Sequence, residues 1–117
     1  MTIETNTPEV WVTGNQEPVF AKKTIATTLD VPARTPLGQI TASGHFGKWL
    51  ATATNGCAAA VAISAYDIDT TGGAQDHSVY VGGTFNPLLV NWPEGTTDLQ
   101  KATAFTGKPI NLQAPRT

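Results

Sequence analysis

Residues 37–50 read LGQITASGHFGKWL and contain two strand-like runs separated by a turn. The runs cover residues 37–41 and 46–50, and the tetrapeptide between them is made of small and turn-forming residues. Two short apolar runs on either side of such a turn are typical of a β-hairpin. The stretch therefore predicts a body built from strands.

Three further runs favour strands, at residues 58–66, 78–81 and 110–112. The first, AAAVAISAY, is ambiguous by periodicity because alanine suits both a helix and a strand. The preceding Asn55-Gly56 turn and the β-branched Val61 and Ile63 favour a buried strand.

One short helix is predicted after residue 97. Thr97 and Gln100 have the spacing of a capping box, in which each side chain accepts a hydrogen bond from the other residue's backbone. Gly107 is predicted to supply a left-handed stop. Apolar side chains recur at intervals of three and predict one buried stripe: Leu99, Ala102 and Phe105. The fold class is therefore mainly β with one short helix (α+β).

The first 35 residues differ in composition from the rest. Four of the eight prolines fall within the first 36 residues, and proline fixes φ and removes a backbone donor. We predict an extended, flexible N-terminal arm over 1–35, a body over 36–112 and a short tail over 113–117. The arm contains two apolar islands, 10–12 and 19–20, which either fold back on their own domain or pair with a partner.

Composition excludes several classes of function. The net charge of −2 over 117 residues provides no basic surface for nucleic acid or an anionic membrane. The N-terminus lacks the pattern of a signal peptide, and no apolar run reaches the length of a membrane span. Cys57 is the single cysteine and predicts no internal disulfide. We expect a protein made in the cytoplasm.

Residue types that carry catalysis or bind metals are sparse. Two histidines, His45 and His77, and one cysteine do not provide a structural zinc site. Residues 67–78 place aspartates at calcium-loop spacing, but Ser78 stands where a bidentate glutamate is needed. We predict no catalytic residue, no metal and no cofactor, and therefore no enzyme.

Several stretches occur in an order that matches a known family. Listed along the chain, they are Thr35-Pro36-Leu37, the alanine-rich run 58–66, Gly83-Thr84-Phe85, Val90-Asn91-Trp92-Pro93-Glu94, the helix ending at 103–107, and the run 109–112. Over residues 35–112 the chain resembles the head decoration proteins of lambda-like tailed bacteriophages. The 67–77 loop and the tail at 113–117 depart from the family pattern.

The resemblance implies a compact β-clip-like body preceded by an arm that becomes ordered on the capsid. It implies a homotrimer that binds the major capsid protein lattice on the outer surface of the expanded phage head. Its role there is to stabilise the virion against the pressure of packaged DNA, without a cofactor, nucleic acid or membrane partner. The protein is then made in the host cytoplasm.

Two sets of site residues follow as hypotheses. The arm is expected to bind the capsid through Val10, Trp11 and Val12, where either the tryptophan or the valine pair is the anchor. Removal of residues 1–14 is then expected to leave the trimer's melting temperature nearly unchanged.

The second set contains packing or trimer-interface anchors: Pro36, Leu37, Trp92 and Pro93. Two other classes of function stay open. One is a carbohydrate- or receptor-binding β module that uses Trp11, Trp49 or Trp92 as a stacking platform. The other is an enzyme of β-clip architecture, because fold alone does not decide function.

Overall fold

The computed structural model describes residues 11–14 and 17–113, and this part of the chain is mainly β with one short helix. The predicted fold class is thereby confirmed. The elements in chain order are β1 (Val19–Ile25), β2 (Asp30–Val31), β3 (Pro36–Gln39), β4 (Phe46–Lys48), β5 (Ala62–Ser64), β6 (Ile68–Asp69), β7 (Gln75–Phe85), a 3-10 turn (Pro87–Leu89), α1 (Asp98–Thr103) and β8 (Ile110–Leu112).

Five strands close on themselves. They follow the order β1-β4-β3-β5-β7, and β1 also pairs with β7, so every strand of this ring has two neighbours. Strand β8 extends the sheet beyond β7, and within residues 11–14 and 17–113 it pairs with no other strand. Strands β2 and β6 form a separate two-stranded sheet. This small barrel-like sheet is consistent with a β-clip-like domain.

The predicted hairpin is present as β3 and β4. The strands are antiparallel, with Gly38 opposite Gly47. Gly38 lies directly against the segment that follows β4, because a Cβ built on it would be 2.5 Å from the Cα of Cys57. A glycine is therefore needed here for space.

The body begins earlier than residue 35. Strand β1 pairs with β7 over seven residues, and β2 pairs with β6, so both lie within the sheets although they fall in the predicted arm. The physical reason is the position of the prolines. Pro18 precedes β1 and Pro32 follows β2, so they flank these strands and do not interrupt them.

Helix α1 has the predicted start. The Thr97 side chain accepts from the Gln100 backbone, and the Gln100 side chain accepts from the Thr97 backbone. The prediction of a buried stripe is wrong in part, since Phe105 is buried but Leu99 is 73% exposed. The helix has only six residues and ends at Thr103, so Phe105 lies beyond the helix and does not share a helix face with Leu99.

Among the residues that the structure describes, most buried apolar side chains lie in two clusters. The first, called here the strand cluster, takes one residue from each of β1 to β7: Ile25, Val31, Leu37, Phe46, Ala62, Ile68 and Val79. The second, called the mixed cluster, combines strand residues with residues from loops and the end of the helix: Trp49, Ala60, Ile63, Phe85, Ala104, Phe105 and Ile110.

Candidate functional site at the root of the N-terminal arm

Residues 11–13 pair with the last part of β7. The Thr13 amide donates to the Thr84 carbonyl at 3.1 Å, and the Asn86 amide donates to the Trp11 carbonyl at 2.8 Å. Val12 and Phe85 form the antiparallel bridge between these bonds. The segment therefore acts as a short added strand, and we call residues 11–13 the arm root.

The Trp11 side chain packs on the mixed cluster. Its ring stacks on Phe85 with a centroid distance of 4.8 Å and an interplanar angle of 26°, and it lies 6.0 Å from Tyr80. The Arg34 guanidinium lies 5.0 Å from the Trp11 ring centroid, within cation–π range. The buried indole Nε1 has no hydrogen-bond partner among the described residues.

Two glycines allow the arm root to lie this close to β7. A Cβ on Gly14 would be 2.7 Å from Thr84 Cβ, so a larger residue here would push the segment away. Gly83 has φ +129, a conformation that favours glycine, and a Cβ there would contact the Phe85 ring. The approach of the arm root to β7 therefore depends on the absence of side chains at both positions.

The predicted arm residues have different environments. Trp11 is half-buried against its own body, whereas Val12 is 38% exposed. Val10 lies outside the described residues. Of the two fates considered for the 10–12 island, the described part of it folds back on its own domain.

The predicted packing or interface anchors also divide into two groups. Pro36 and Leu37 are buried in β3, so both side chains pack within the chain. Trp92 is half-buried, donates from Nε1 to the Pro87 carbonyl at 3.1 Å, and meets Trp49 edge-on at 5.5 Å. Pro93 is half-buried at the rim of a small cleft. Trp92 and Pro93 therefore keep some surface that a neighbour can contact.

A larger groove lies between α1 and β8. It has a volume of about 570 Å³, and Ala102, Phe105 and Leu112 are among the apolar residues that line it. The free edge of β8 contributes one wall. Two leucines that directly follow lining residues in sequence, Leu88 after Pro87 and Leu99 after Asp98, are strongly exposed, at 80% and 73%. Charged side chains also line the groove, among them Asp98, Lys101 and Lys108, so this face combines apolar and polar surface.

The 67–78 stretch contains β6, the turn after it and the start of β7. Asp67 accepts from the Ala33 amide, and Asp69 accepts from the Thr71 amide, so both aspartates have local structural partners. The bond from Thr71 lowers the pKa of the Asp69 carboxyl below its usual value. Within residues 11–14 and 17–113, no group of three or more His, Cys, Asp or Glu is placed to hold a metal ion.

Two other reactive side chains lie within the described part of the chain. Cys57 is buried, and this burial raises the pKa of its thiol. The thiolate is the reactive form, so a raised pKa keeps this cysteine inert. His77 has a buried Nε2 without a hydrogen-bond partner among these residues. No helix there is long and apolar enough to cross a membrane.

Sequence reasoning did not find the partners of Trp11. Arg34, Tyr80 and Phe85 are 23 to 74 residues away along the chain, and no local spacing connects them. The only signal was the Gly83-Thr84-Phe85 stretch, which contributed to the family resemblance without indicating a contact.

Comparison with known proteins connects this architecture to one family. No curated protein matches the chain significantly. A family model for the bacteriophage lambda head decoration protein D matches residues 2–109, which is most of the chain and includes the arm root, the closed ring and α1. The chain therefore belongs to the family of the bacteriophage lambda head decoration protein D, a family of structural proteins of the phage head.

Proposed function

We propose that this protein binds the outer surface of the expanded phage head as a homotrimer and stabilises the head against the pressure of packaged DNA. The observation that carries the proposal is the family match over residues 2–109. Family membership associates the chain with the capsid, and the trimer, the outer surface and the mechanical role are our inference. The protein has no catalytic role in this proposal.

The exposed apolar side chains support an assembly. Leu88 and Leu99 are strongly exposed, and each directly follows in sequence a residue that lines the groove between α1 and β8. A small domain gains stability from association because its own core is limited. Contact between copies would therefore remove exposed apolar surface and stabilise each body.

The N-terminal arm is the proposed attachment to the capsid protein. It is the segment that contains Val10, Trp11 and Val12. Ten residues of fully extended chain, such as residues 1–10, can reach about 33 Å. An extended segment can bind another protein by adding a strand to an exposed sheet edge, where the backbone supplies most of the hydrogen bonds.

The stabilising effect follows from linkage. A protein that binds the expanded shell but not the unexpanded or broken shell shifts the equilibrium toward the expanded form. At a free concentration 100 times the dissociation constant, each site contributes about 2.7 kcal/mol. Many sites on one head sum to a large effect, and no chemical step is needed.

No observation favours the sugar-binding alternative. A stacking platform requires an exposed aromatic face, but Trp49 is buried and both Trp11 and Trp92 are half-buried against other rings. The Trp11 ring has Phe85 stacked on it and the Arg34 guanidinium within cation–π range, which leaves this ring unsuited to hold a sugar.

The test combines mass and binding. Light scattering of the purified protein is expected to give about 37 kDa, three times the 12.3 kDa of one chain. The protein is then added to expanded, undecorated heads, which are imaged and heated with and without it. We expect density on the outer surface at threefold positions and a higher temperature of DNA release. A monomer that leaves the heads bare would contradict the proposal.

A further inference from the structure

We propose that Trp11 is a clamp that fixes the arm root to the body and stays on the body when the capsid binds, with Arg34 as the positioning residue for its ring. This inference rests on the proposed function, because it divides the arm into an anchored root and a segment that contacts the capsid. It also assigns different roles to Trp11 and Val12, which are adjacent in sequence.

The backbone bonds fix the direction of the arm root. Two bonds to β7, from Thr13 to Thr84 and from Asn86 to Trp11, hold its two ends. The Thr13 hydroxyl also donates to the Gln113 carbonyl at 2.7 Å, which connects the arm root to the residue after β8. Transfer of the arm root to another protein would break all three bonds.

The ring of Trp11 covers a buried residue. Phe85 is fully buried, and the stacked Trp11 ring at 4.8 Å is part of what covers it. Loss of Trp11 would expose part of the mixed cluster to water, which is unfavourable in proportion to the apolar area uncovered. A capsid pocket would have to offset this cost before it gained any net affinity.

Arg34 is held in a conformation that suits a positioning role. Its φ is +67, which is uncommon for a residue other than glycine. Its amide donates to the Ser64 carbonyl and its carbonyl accepts from the Asn91 amide, both at 2.8 Å, so its backbone is fixed on both sides. The guanidinium lies 5.0 Å from the Trp11 ring centroid. This geometry joins the arm root to the loop between β2 and β3.

Val12, unlike Trp11, does not pack its side chain on the body. It is 38% exposed and is not among the residues packed on either cluster. Its side chain is free to contact a partner while its backbone stays paired with β7. The exposed valine, and not the tryptophan, is therefore the described arm residue that can meet the capsid without a rearrangement.

The rival outcome is that Trp11 leaves the body and enters the capsid. The unpartnered indole Nε1 would favour this, because a buried donor without an acceptor is costly and would gain one elsewhere. The two outcomes predict opposite results in two measurements.

The first measurement is amide hydrogen exchange in the free protein and on expanded heads. We expect the amides of Thr13 and Asn86 to be protected in both states, because both donate across the arm root pairing. The amide of Ala26, which donates to Phe46 in the closed ring, is the reference. Loss of protection at Thr13 and Asn86 on the heads, with Ala26 unchanged, would overturn the proposal.

The second measurement is the capsid affinity of Arg34→Gln and Arg34→Lys. Loss of the cation loosens the arm root, so more of the arm must be ordered on binding, and we expect Arg34→Gln to weaken binding by about threefold or more. Arg34→Lys retains a cation and is expected to restore most of the affinity. If Trp11 had to leave the body, Arg34→Gln would instead strengthen binding. It would raise the fraction of molecules in which Trp11 is already released and can bind the capsid.

Failure of this inference differs from failure of the proposed function. If the wild-type protein does not bind expanded heads, the proposed function is wrong. If the wild-type protein binds but Arg34→Gln binds equally or more tightly, only the clamp is wrong. The melting temperature of each free variant shows that it is folded before its affinity is compared.

Discussion

The strand cluster and the mixed cluster are both buried, but different parts of the chain surround them. The strand cluster takes one side chain from each of β1 to β7, so its members lie within paired strands. The mixed cluster is covered by half-buried rings, among them Trp11 and Trp92. The arm root, α1 and β8 all meet at the mixed cluster.

We infer from this difference that the strand cluster provides stability, whereas contact with partners takes place near the mixed cluster. A cluster built from paired strands has little freedom to change without breaking the sheet. A cluster covered by single half-buried side chains can be stabilised or uncovered from outside, since each covering ring is itself partly exposed to a partner. The surfaces that we propose for the capsid and for neighbouring copies both lie next to the mixed cluster. Five predictions test this comparison.

The largest change in stability is expected from Gly38→Ala. Gly38 lies in β3, against the segment around Cys57 that leads to the mixed cluster. The new Cβ would be 2.5 Å from a backbone atom, which cannot move without shifting the segment. We expect a loss of about 3 kcal/mol or more in the free energy of unfolding, measured in urea. The control is Gly47→Ala on the opposite strand, where the nearest atom would be 3.4 Å away, at the flexible end of Ile40. Equal losses in the two variants would show that space at Gly38 is not limiting.

Next in size is Trp11→Ala in the free protein. It removes the stack on Phe85 and the contact with Arg34, and we expect a loss of about 2 kcal/mol in the free energy of unfolding. Val12→Ala, the neighbouring control, should change it by less than about 0.5 kcal/mol.

The same contacts reverse an expectation made from sequence. Removal of residues 1–14 deletes the arm root, so we now expect the melting temperature of the free protein to fall. If the truncated protein has the same melting temperature as the full-length protein, the arm root does not stabilise the mixed cluster.

Leu99→Lys tests the face beside the groove. Leu99 is strongly exposed, so the substitution should leave the fold of one chain intact. If copies meet through this face, a buried lysine should raise the dissociation constant of the trimer by about tenfold or more. Light scattering over a dilution series measures this. Tyr66→Lys, in the loop between β5 and β6, is a control with similar exposure. A trimer weakened only by the Tyr66 substitution would assign the contact to the other face.

The smallest effect is expected at Asp69, in the turn before β7. The bond from Thr71 depresses the pKa of the folded protein, so the carboxylate stabilises the fold above the unfolded pKa of about 3.9. That stabilisation is lost as the pH falls through the folded pKa. Asp69→Asn should therefore be slightly less stable than the parent at pH 7 and equal to it in strong acid. The midpoints of urea unfolding at both pH values measure the difference in stability. If Asp69→Asn stays less stable than the parent in acid, the difference does not come from the Asp69 carboxylate.

Much of the fold followed from local signals. The β3–β4 hairpin was predicted from two runs and a turn, and the start of α1 was predicted from the three-residue spacing of Thr97 and Gln100. Gly107 has the predicted positive φ, at +78. In each case the residues that decide the structure are within a few positions of one another, so their spacing in sequence is also their geometry.

The candidate site was predicted only in part. Trp11 was selected as an apolar residue in a proline-rich region, but its partner was taken to be another protein. The contact with Phe85 joins residues 74 positions apart, and no periodicity connects residues at such a distance. The exposure of Leu99 was also missed, because a spacing of three shows that side chains share a helix face but not whether another element covers it.

The sequence by itself determined the strand-rich class, the hairpin, the helix cap and the family, because each depends on residue types at short and fixed spacing. Only the tertiary structure decided that β1 closes the ring on β7, that Trp11 packs on the body and that Leu99 stays exposed. A strand requires a partner to define its register, and a side chain requires a neighbouring surface to be buried. Both are supplied by parts of the chain that come together only in the folded protein.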